Sequence, residues 1–247
     1  MMDADVPALR IADVSHSFGR LTALDHVSLT VGAGQFTALL GVNGAGKTTL
    51  FSLVTRLYDN ITGTIEVAGN DVRRQPGPAL ARLGIVFQTR SLDRDLTVRQ
   101  NLFYYAALHG MSRGDTRKHT AEMIERVGLS DKVDARVSTL SGGQSRRAEI
   151  ARSLMHKPRL LLLDEATVGL DVKSRLDVAE LVRGLIRDEG VAVLWATHLL
   201  DEVQPQDNVA ILHQGKILTA GTARDIAGKA TLEQAFLSLT GVEEGAL

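Results

Sequence analysis

Phe36-Thr37-Ala38-Leu39-Leu40-Gly41-Val42-Asn43-Gly44-Ala45-Gly46-Lys47-Thr48-Thr49 reads as a strand, a glycine-rich turn and the start of a helix. Phe36–Leu40 is a short, mostly apolar run, and a helical period takes over from Thr48 to Leu57. The turn between them fits G-x-x-x-x-G-K-[ST] from Gly41 to Thr48, in the strand, loop and helix setting that this motif requires. With no Cβ in the way, successive backbone N–H groups can turn inward around phosphate oxygens, and the helix adds its positive N-terminal end. Gly41, Asn43, Gly44, Ala45, Gly46, Lys47, Thr48 and Thr49 are therefore the expected contacts to nucleotide phosphates. Lys47 is placed to reach the β- and γ-phosphates, and the Thr48 hydroxyl to ligate Mg²⁺. The plain alternative for the same residues is a glycine-rich turn capped by a threonine.

A second stretch, Leu160-Leu161-Leu162-Leu163-Asp164-Glu165, is an unalternated apolar run that ends in two acids. Such a run belongs inside a sheet covered on both faces, so Asp164 emerges at the carboxyl end, where open α/β sheets bind ligands. Alone it reads better as a strand that simply ends in solvated acids. In a chain that also carries a phosphate loop, Asp164 becomes the expected Mg²⁺ ligand and Glu165 the group that polarises the attacking water. Further unalternated runs at Val191–Trp195 and Val209–Leu212, with a helical stretch Val172–Asp188 between, imply a parallel sheet flanked by helices. Leu9–Val14, Val27–Val31 and Thr64–Ala68 read as short strands joined by turns. From Arg90 to Lys157 the pattern is helical, with amphipathic stretches at Thr97–His109, Ser112–Val127 and Gly142–His156. No repeat or linker divides the chain, so this helical third reads as an insertion within one α/β domain.

Composition narrows the function classes. The 28 Lys and Arg balance the 29 Asp and Glu to a net charge of -1, which gives no global field for nucleic acid or anionic lipid. With no cysteine there is no thiolate metal site and no disulfide framework. No apolar run approaches the ~18 residues of a membrane span. Met1–Pro7 is acidic and lacks the basic flank and apolar run of a secretory signal, so the chain is expected in the cytosol.

Leu140-Ser141-Gly142-Gly143-Gln144 precedes a helix carrying Arg146, Arg147 and Arg152. Ser141 suits an N-cap, and two glycines at the helix opening leave N–H groups bare for an anion; a capped helix with a flexible start is the plain alternative. Coming between a phosphate loop and an Asp-Glu strand end, this pentapeptide resembles the signature of the ATP-binding subunits of ABC transporters. The resemblance runs from about Leu9 to about Thr240. It implies a phosphate-loop NTPase core with a mostly parallel sheet flanked by helices, an N-terminal antiparallel β region and an inserted helical subdomain. On that plan 1–89 and 158–247 form the α/β core and 90–157 the helical subdomain of a single domain. It also implies that Phe18 stacks on adenine, although a core phenylalanine would read the same way. Gln88, after the strand Gly84–Phe87, resembles the glutamine that senses metal and water. His198 resembles the switch histidine at the γ-phosphate, and Gly169-Leu170-Asp171 resembles the loop through which two subunits communicate.

The family's usual Pro and Ser or Asn are replaced by Ala166 and Val168; loss of the proline frees φ beside Glu165. The resemblance implies an ATPase that uses ATP and Mg²⁺ and pairs head to tail with a second ATPase subunit, a homodimer giving two identical sites. Ser141, Gly142, Gly143 and Gln144 of one chain then close over ATP held by the other, while Glu165, His198, Lys47 and Gln88 act on it. With no membrane span of its own, such a subunit is expected on the cytoplasmic face, bound to a separate permease. The tail Thr231–Gly241 is similar to those of export-type subunits, and it is equally a short amphipathic helix capping the domain. Import, or a soluble relative acting on nucleic acid or ribosomes, are the competing functions; neutral charge and a single phosphate loop weigh against the latter.

Overall fold

The computed structural model describes residues 6–59 and 62–242; Met1–Asp5, most of the acidic N-terminal stretch, lie outside them. Strands β1 (Leu9–Phe18) and β2 (Leu21–Val31) form an antiparallel hairpin in which Leu9 faces Val31 and Phe18 faces Leu21. After β3 (Phe36–Leu40) comes α1 (Lys47–Val54), shorter than the Thr48–Leu57 period suggests because Arg56 takes a left-handed φ of 62°. Strands β4 (Thr64–Val67) and β5 (Asn70–Asp71) extend the hairpin into a four-stranded antiparallel sheet of order β2-β1-β4-β5.

The chain continues through α2 (Pro76–Leu80) and β6 (Leu83–Val86) into three helices, α3 (Val98–Leu108), α4 (Arg113–Arg126) and α5 (Gly142–Leu154). Then follow β7 (Leu160–Asp164), α6 (Val172–Glu189), β8 (Ala192–Thr197), β9 (Asn208–His213), β10 (Lys216–Thr222), α7 (Ala223–Ala227) and α8 (Leu232–Thr240). The second sheet has six strands in the order β10-β9-β3-β8-β7-β6. All its pairings are parallel except the β9–β10 hairpin, an edge strand that the periodicity did not announce.

The five parallel-paired strands of this sheet are largely buried on both faces, which is why they lack polar alternation. Leu160 and Leu162 of β7 pack into one apolar cluster with Leu39, Leu50, Phe51 and Leu194, while Leu161 and Leu163 enter another with Trp195, Val182 and Leu185. The first cluster joins the parallel sheet to the antiparallel one, and the second carries α3 to α6. Helix starts are fixed locally. Thr97, Ser141 and Thr231 each form a capping box with the glutamine three residues on, an arrangement worth about 1 kcal/mol apiece.

Candidate active site

Parallel pairing brings four strand ends to one edge. Leu40 lies opposite Thr197, Ala196 opposite Asp164, and Leu163 opposite Val86. The segments that follow these strands carry the phosphate loop, His198, Glu165 and Gln88, so residues far apart in sequence meet beyond the carboxyl ends.

The phosphate loop needs glycine for two different reasons. Gly44 has a φ of 82° with open space around it, so only its backbone conformation matters. Gly46, the N-cap of α1, has a φ of 113°, and a Cβ there would lie 2.8 Å from the Ala23 carbonyl. A turn from elsewhere supports the loop: the Gly215 N–H, between β9 and β10, donates to the Ala45 carbonyl at 3.0 Å. The buried Lys47 ammonium donates to the Gly41 and Val42 carbonyls at 2.6 and 3.3 Å and sits 3.4 Å from Glu165 Oε1. Burial lowers the Lys47 pKa, and the Glu165 and Asp164 charges oppose that shift.

Glu165 is the point of convergence. Gln88 Nε2 donates to its Oε2 at 2.7 Å, and His198 Nδ1 and Lys47 Nζ both lie 3.4 Å from its Oε1. Its backbone φ is 47°, a left-handed conformation that costs a β-carbon residue on the order of 1 kcal/mol. Asp164, one residue earlier and 4% exposed, has its pKa pushed up to about 6 by burial and by the neighbouring Glu165 charge, with Lys47 and Arg146 pulling it back. The Thr48 hydroxyl, the Asp164 carboxylate and the Gln88 amide are hard oxygen donors of the kind that suits Mg²⁺. Among the described residues no group of three or more His, Cys, Asp or Glu could cage a metal.

Lys47, Thr48, Gln88 and Glu165 line a cavity of about 470 Å³ together with Phe18, whereas Asp164 and His198 do not line it and reach the site through their neighbours Glu165 and Lys47. Phe18 is 45% exposed, which removes it from the core, and its ring meets His16 and Tyr58 edge-on at 4.7 and 5.4 Å. Residues 141–144 do not line this cavity; Gly142 borders another of about 480 Å³, with Arg90 and Leu140. Ser141 Oγ accepts the Gln144 N–H at 3.3 Å, so that donor of the helix opening is already satisfied. The arginines of α5 serve structure. Arg146 donates to the Phe87 and Gln88 carbonyls at 2.7 and 3.1 Å and pairs with the buried Glu149 at 2.8 Å, while Arg152 donates to the Ser91 carbonyl at 2.8 Å. Arg147 donates to the Val127 carbonyl at 2.9 Å.

Three groups of contributors escaped sequence reading, the first being Leu21, Thr22 and Ala23 at the start of β2, which line the cavity. Gln214 and Gly215 line the cavity from the β9–β10 turn, and a Gln-Gly pair between two apolar runs was the available hairpin signal. The Arg146–Glu149 tie to the Gln88 loop is foreshadowed only by an i,i+3 charge pair.

Fold and site together define a phosphate-loop nucleotide-binding ATPase. The sequence profile of the family described as ABC transporter matches residues 24–168. The chain is 34% identical to the linearmycin resistance ATP-binding protein LnrL of Bacillus subtilis (strain 168), over 97% of this chain and 77% of that one. It is 38% identical to the methionine import ATP-binding protein MetN 2 of Rhodococcus jostii (strain RHA1), over 89% of this chain and 67% of that one. Among solved structures, cbiO1 from Clostridium perfringens, part of the ABC transporter complex cbiONQ, superposes with a TM-score of 0.83 at 27% identity, covering 91% of this chain and 92% of its own. The chain belongs to the ABC transporter family as an ATP-binding subunit, and it is an ATPase.

Proposed function

We propose that this subunit binds Mg-ATP in the cavity between Phe18 and Glu165 and drives export through a separate membrane permease. The observation that carries the chemistry is the convergence of Lys47, Gln88 and His198 on the Glu165 carboxylate. In this reading the β- and γ-phosphates take Lys47 from its carboxylate partner, and Glu165, freed of that charge, orients and polarises the attacking water. His198 and Gln88 fix the geometry of that attack, and Phe18 stacks on the base. Backbone N–H groups of Asn43–Thr49 wrap the phosphates. Thr48, Asp164 and Gln88 would hold Mg²⁺, which supplies charge neutralisation at the phosphates.

Since residues 141–144 do not line the phosphate cavity of their own chain, they are proposed to close over the nucleotide of a second copy in a head-to-tail, two-fold dimer. The helical unit 90–157, inserted into a single ABC ATPase domain, then carries the signature, and the permease docks beside it and the Gln88 loop, holding the subunit at the cytoplasmic face. Among the described residues no helix is long and apolar enough to cross a membrane, which supports a separate permease. Export is favoured by the tail helix α8 and by the near full-length similarity to a resistance protein; the similarity to a methionine import protein keeps import as the second reading.

Glu165→Gln tests the core of this proposal. It preserves the shape and removes the charge, and should bind Mg-ATP while losing about 10²-fold or more in kcat. Wild-type turnover in that variant would remove Glu165 from the mechanism.

A further inference from the structure

Three side chains outside the groups assigned above are tied together next to Glu165 and His198. Thr167, two residues after Glu165, and Thr197, immediately before His198, are each 1% exposed. Both hydroxyls reach the same carboxylate: Thr167 Oγ1 donates to Glu202 Oε1, and Thr197 Oγ1 donates to Glu202 Oε2 at 2.6 Å. The Leu199 N–H donates to Thr197 Oγ1 at 3.0 Å, so that hydroxyl has its own proton directed at Glu202. Glu202 sits on the short 3₁₀ turn Leu200–Glu202, which is itself anchored. Arg183 of α6 donates to the Glu202 carbonyl at 3.1 Å while holding Asp207 at 2.8 and 3.0 Å.

The turn that this carboxylate grips is one that needs holding. Glu165 has its left-handed φ of 47°, and Ala166 has no ring to restrict its backbone. The backbone contributes the Glu165 N–H to the Ala196 carbonyl at 2.9 Å and the Val168 N–H to the Glu165 carbonyl at 3.2 Å. Hydrogen bonds from buried hydroxyls to a carboxylate are stronger than neutral ones and have defined direction.

We infer that Glu202 is a positioning residue, whose two carboxylate oxygens bind the Glu165 turn to the His198 loop through Thr167 and Thr197 and keep both groups in register for water attack. This rests on the proposed roles of Glu165 and His198. It predicts that loosening the brace disturbs a transition-state geometry and leaves nucleotide binding alone, because none of the three residues lines the nucleotide cavity.

The experiment measures kcat, KM and ATP affinity of the purified chain for Glu202→Ala, Glu202→Gln, Thr167→Val and Thr197→Val, with Glu165→Gln alongside. Glu202→Ala and the two valine variants should each lower kcat by about tenfold or more, with KM and ATP affinity within about twofold of wild type. Glu202→Gln keeps the length, can accept from one hydroxyl and donate to the other, and should recover most of the loss. Combining both valines should cost no more than Glu202→Ala, since each removes part of one device. Wild-type kcat in Glu202→Ala overturns the inference. So does a parallel fall in kcat and affinity, or a Glu202→Gln variant as damaged as the alanine. If Glu202→Ala loses its thermal unfolding transition, the near-isosteric valine variants decide, and wild-type turnover in both overturns it. Glu165→Gln separates the two levels: an inactive Glu165→Gln beside a normal Glu202→Ala rejects only the brace, whereas an active Glu165→Gln rejects the roles on which it rests.

Discussion

At Lys47 a cation is buried to 5% exposure with two carbonyls and one carboxylate for company. Such a charge is tolerable only while it has partners, and a triphosphate offers better ones than Glu165 does. Lys47→Ala should therefore remove ATP turnover to below about one part in 10² of wild type, in a steady-state phosphate-release assay. His198, 3.4 Å from Glu165 Oε1, is proposed to have a narrower role. His198→Ala should lower kcat by roughly 10²-fold with ATP affinity largely unchanged, and a normal kcat would remove it from the chemistry. At this scale the sequence was most legible. Gly41–Thr48, Asp164–Glu165 and Ser141–Gln144 are contiguous motifs whose residue types announce their chemistry. Phe18 was the ambiguous residue, because an aromatic before a turn says nothing of which way it faces; its 45% exposure beside the cavity decides against the core.

Among elements, helices and central strands were readable because each buries a regular face. The expected and observed bounds of α3, α4 and α6 agree within a residue or two, and their starts are marked by Thr97, Ser112 and Asp171, whose side chains accept N–H groups of the first turn. Strand β10 was missed because an edge strand with mixed burial carries little periodic signal. Packing between elements also sets a pH dependence. His156, at the end of α5, stacks on His109 with ring centroids 3.9 Å apart and bonds the Leu83 carbonyl at 3.0 Å. Burial and the neighbouring His109 lower its pKa to about 4. A histidine depressed in the folded state binds its proton first in the unfolded chain, so stability is full above pH ~6.5 and falls as pH drops toward 4. The loss should amount to roughly 3 kcal/mol in denaturant unfolding, and His156→Gln should flatten that slope.

For the whole molecule, residues 141–144 do not line the phosphate cavity of their own chain, and the proposed head-to-tail dimer would complete the site between two copies. Glu165→Gln, which should retain ATP, should therefore accumulate as a dimer at saturating Mg-ATP and remain monomeric without nucleotide; light scattering would show it. A monomer under both conditions would reject the head-to-tail arrangement.

By itself the sequence determined the kind of chemistry and the class of fold. A phosphate loop, a strand ending in acids and a capped signature helix are local patterns, and local backbone preferences and side-chain types suffice to write them. Tertiary structure alone decided how these pieces meet. The parallel register that sets Leu40 beside Thr197 and Ala196 beside Asp164 brings Lys47, Gln88 and His198 onto Glu165. The tie from Thr167 to Glu202 spans 35 residues, and the support of Ala45 by Gly215 spans a still longer stretch of chain. Such contacts depend on where a folded sheet places its strand ends, a property of the assembled core that no short window of sequence encodes.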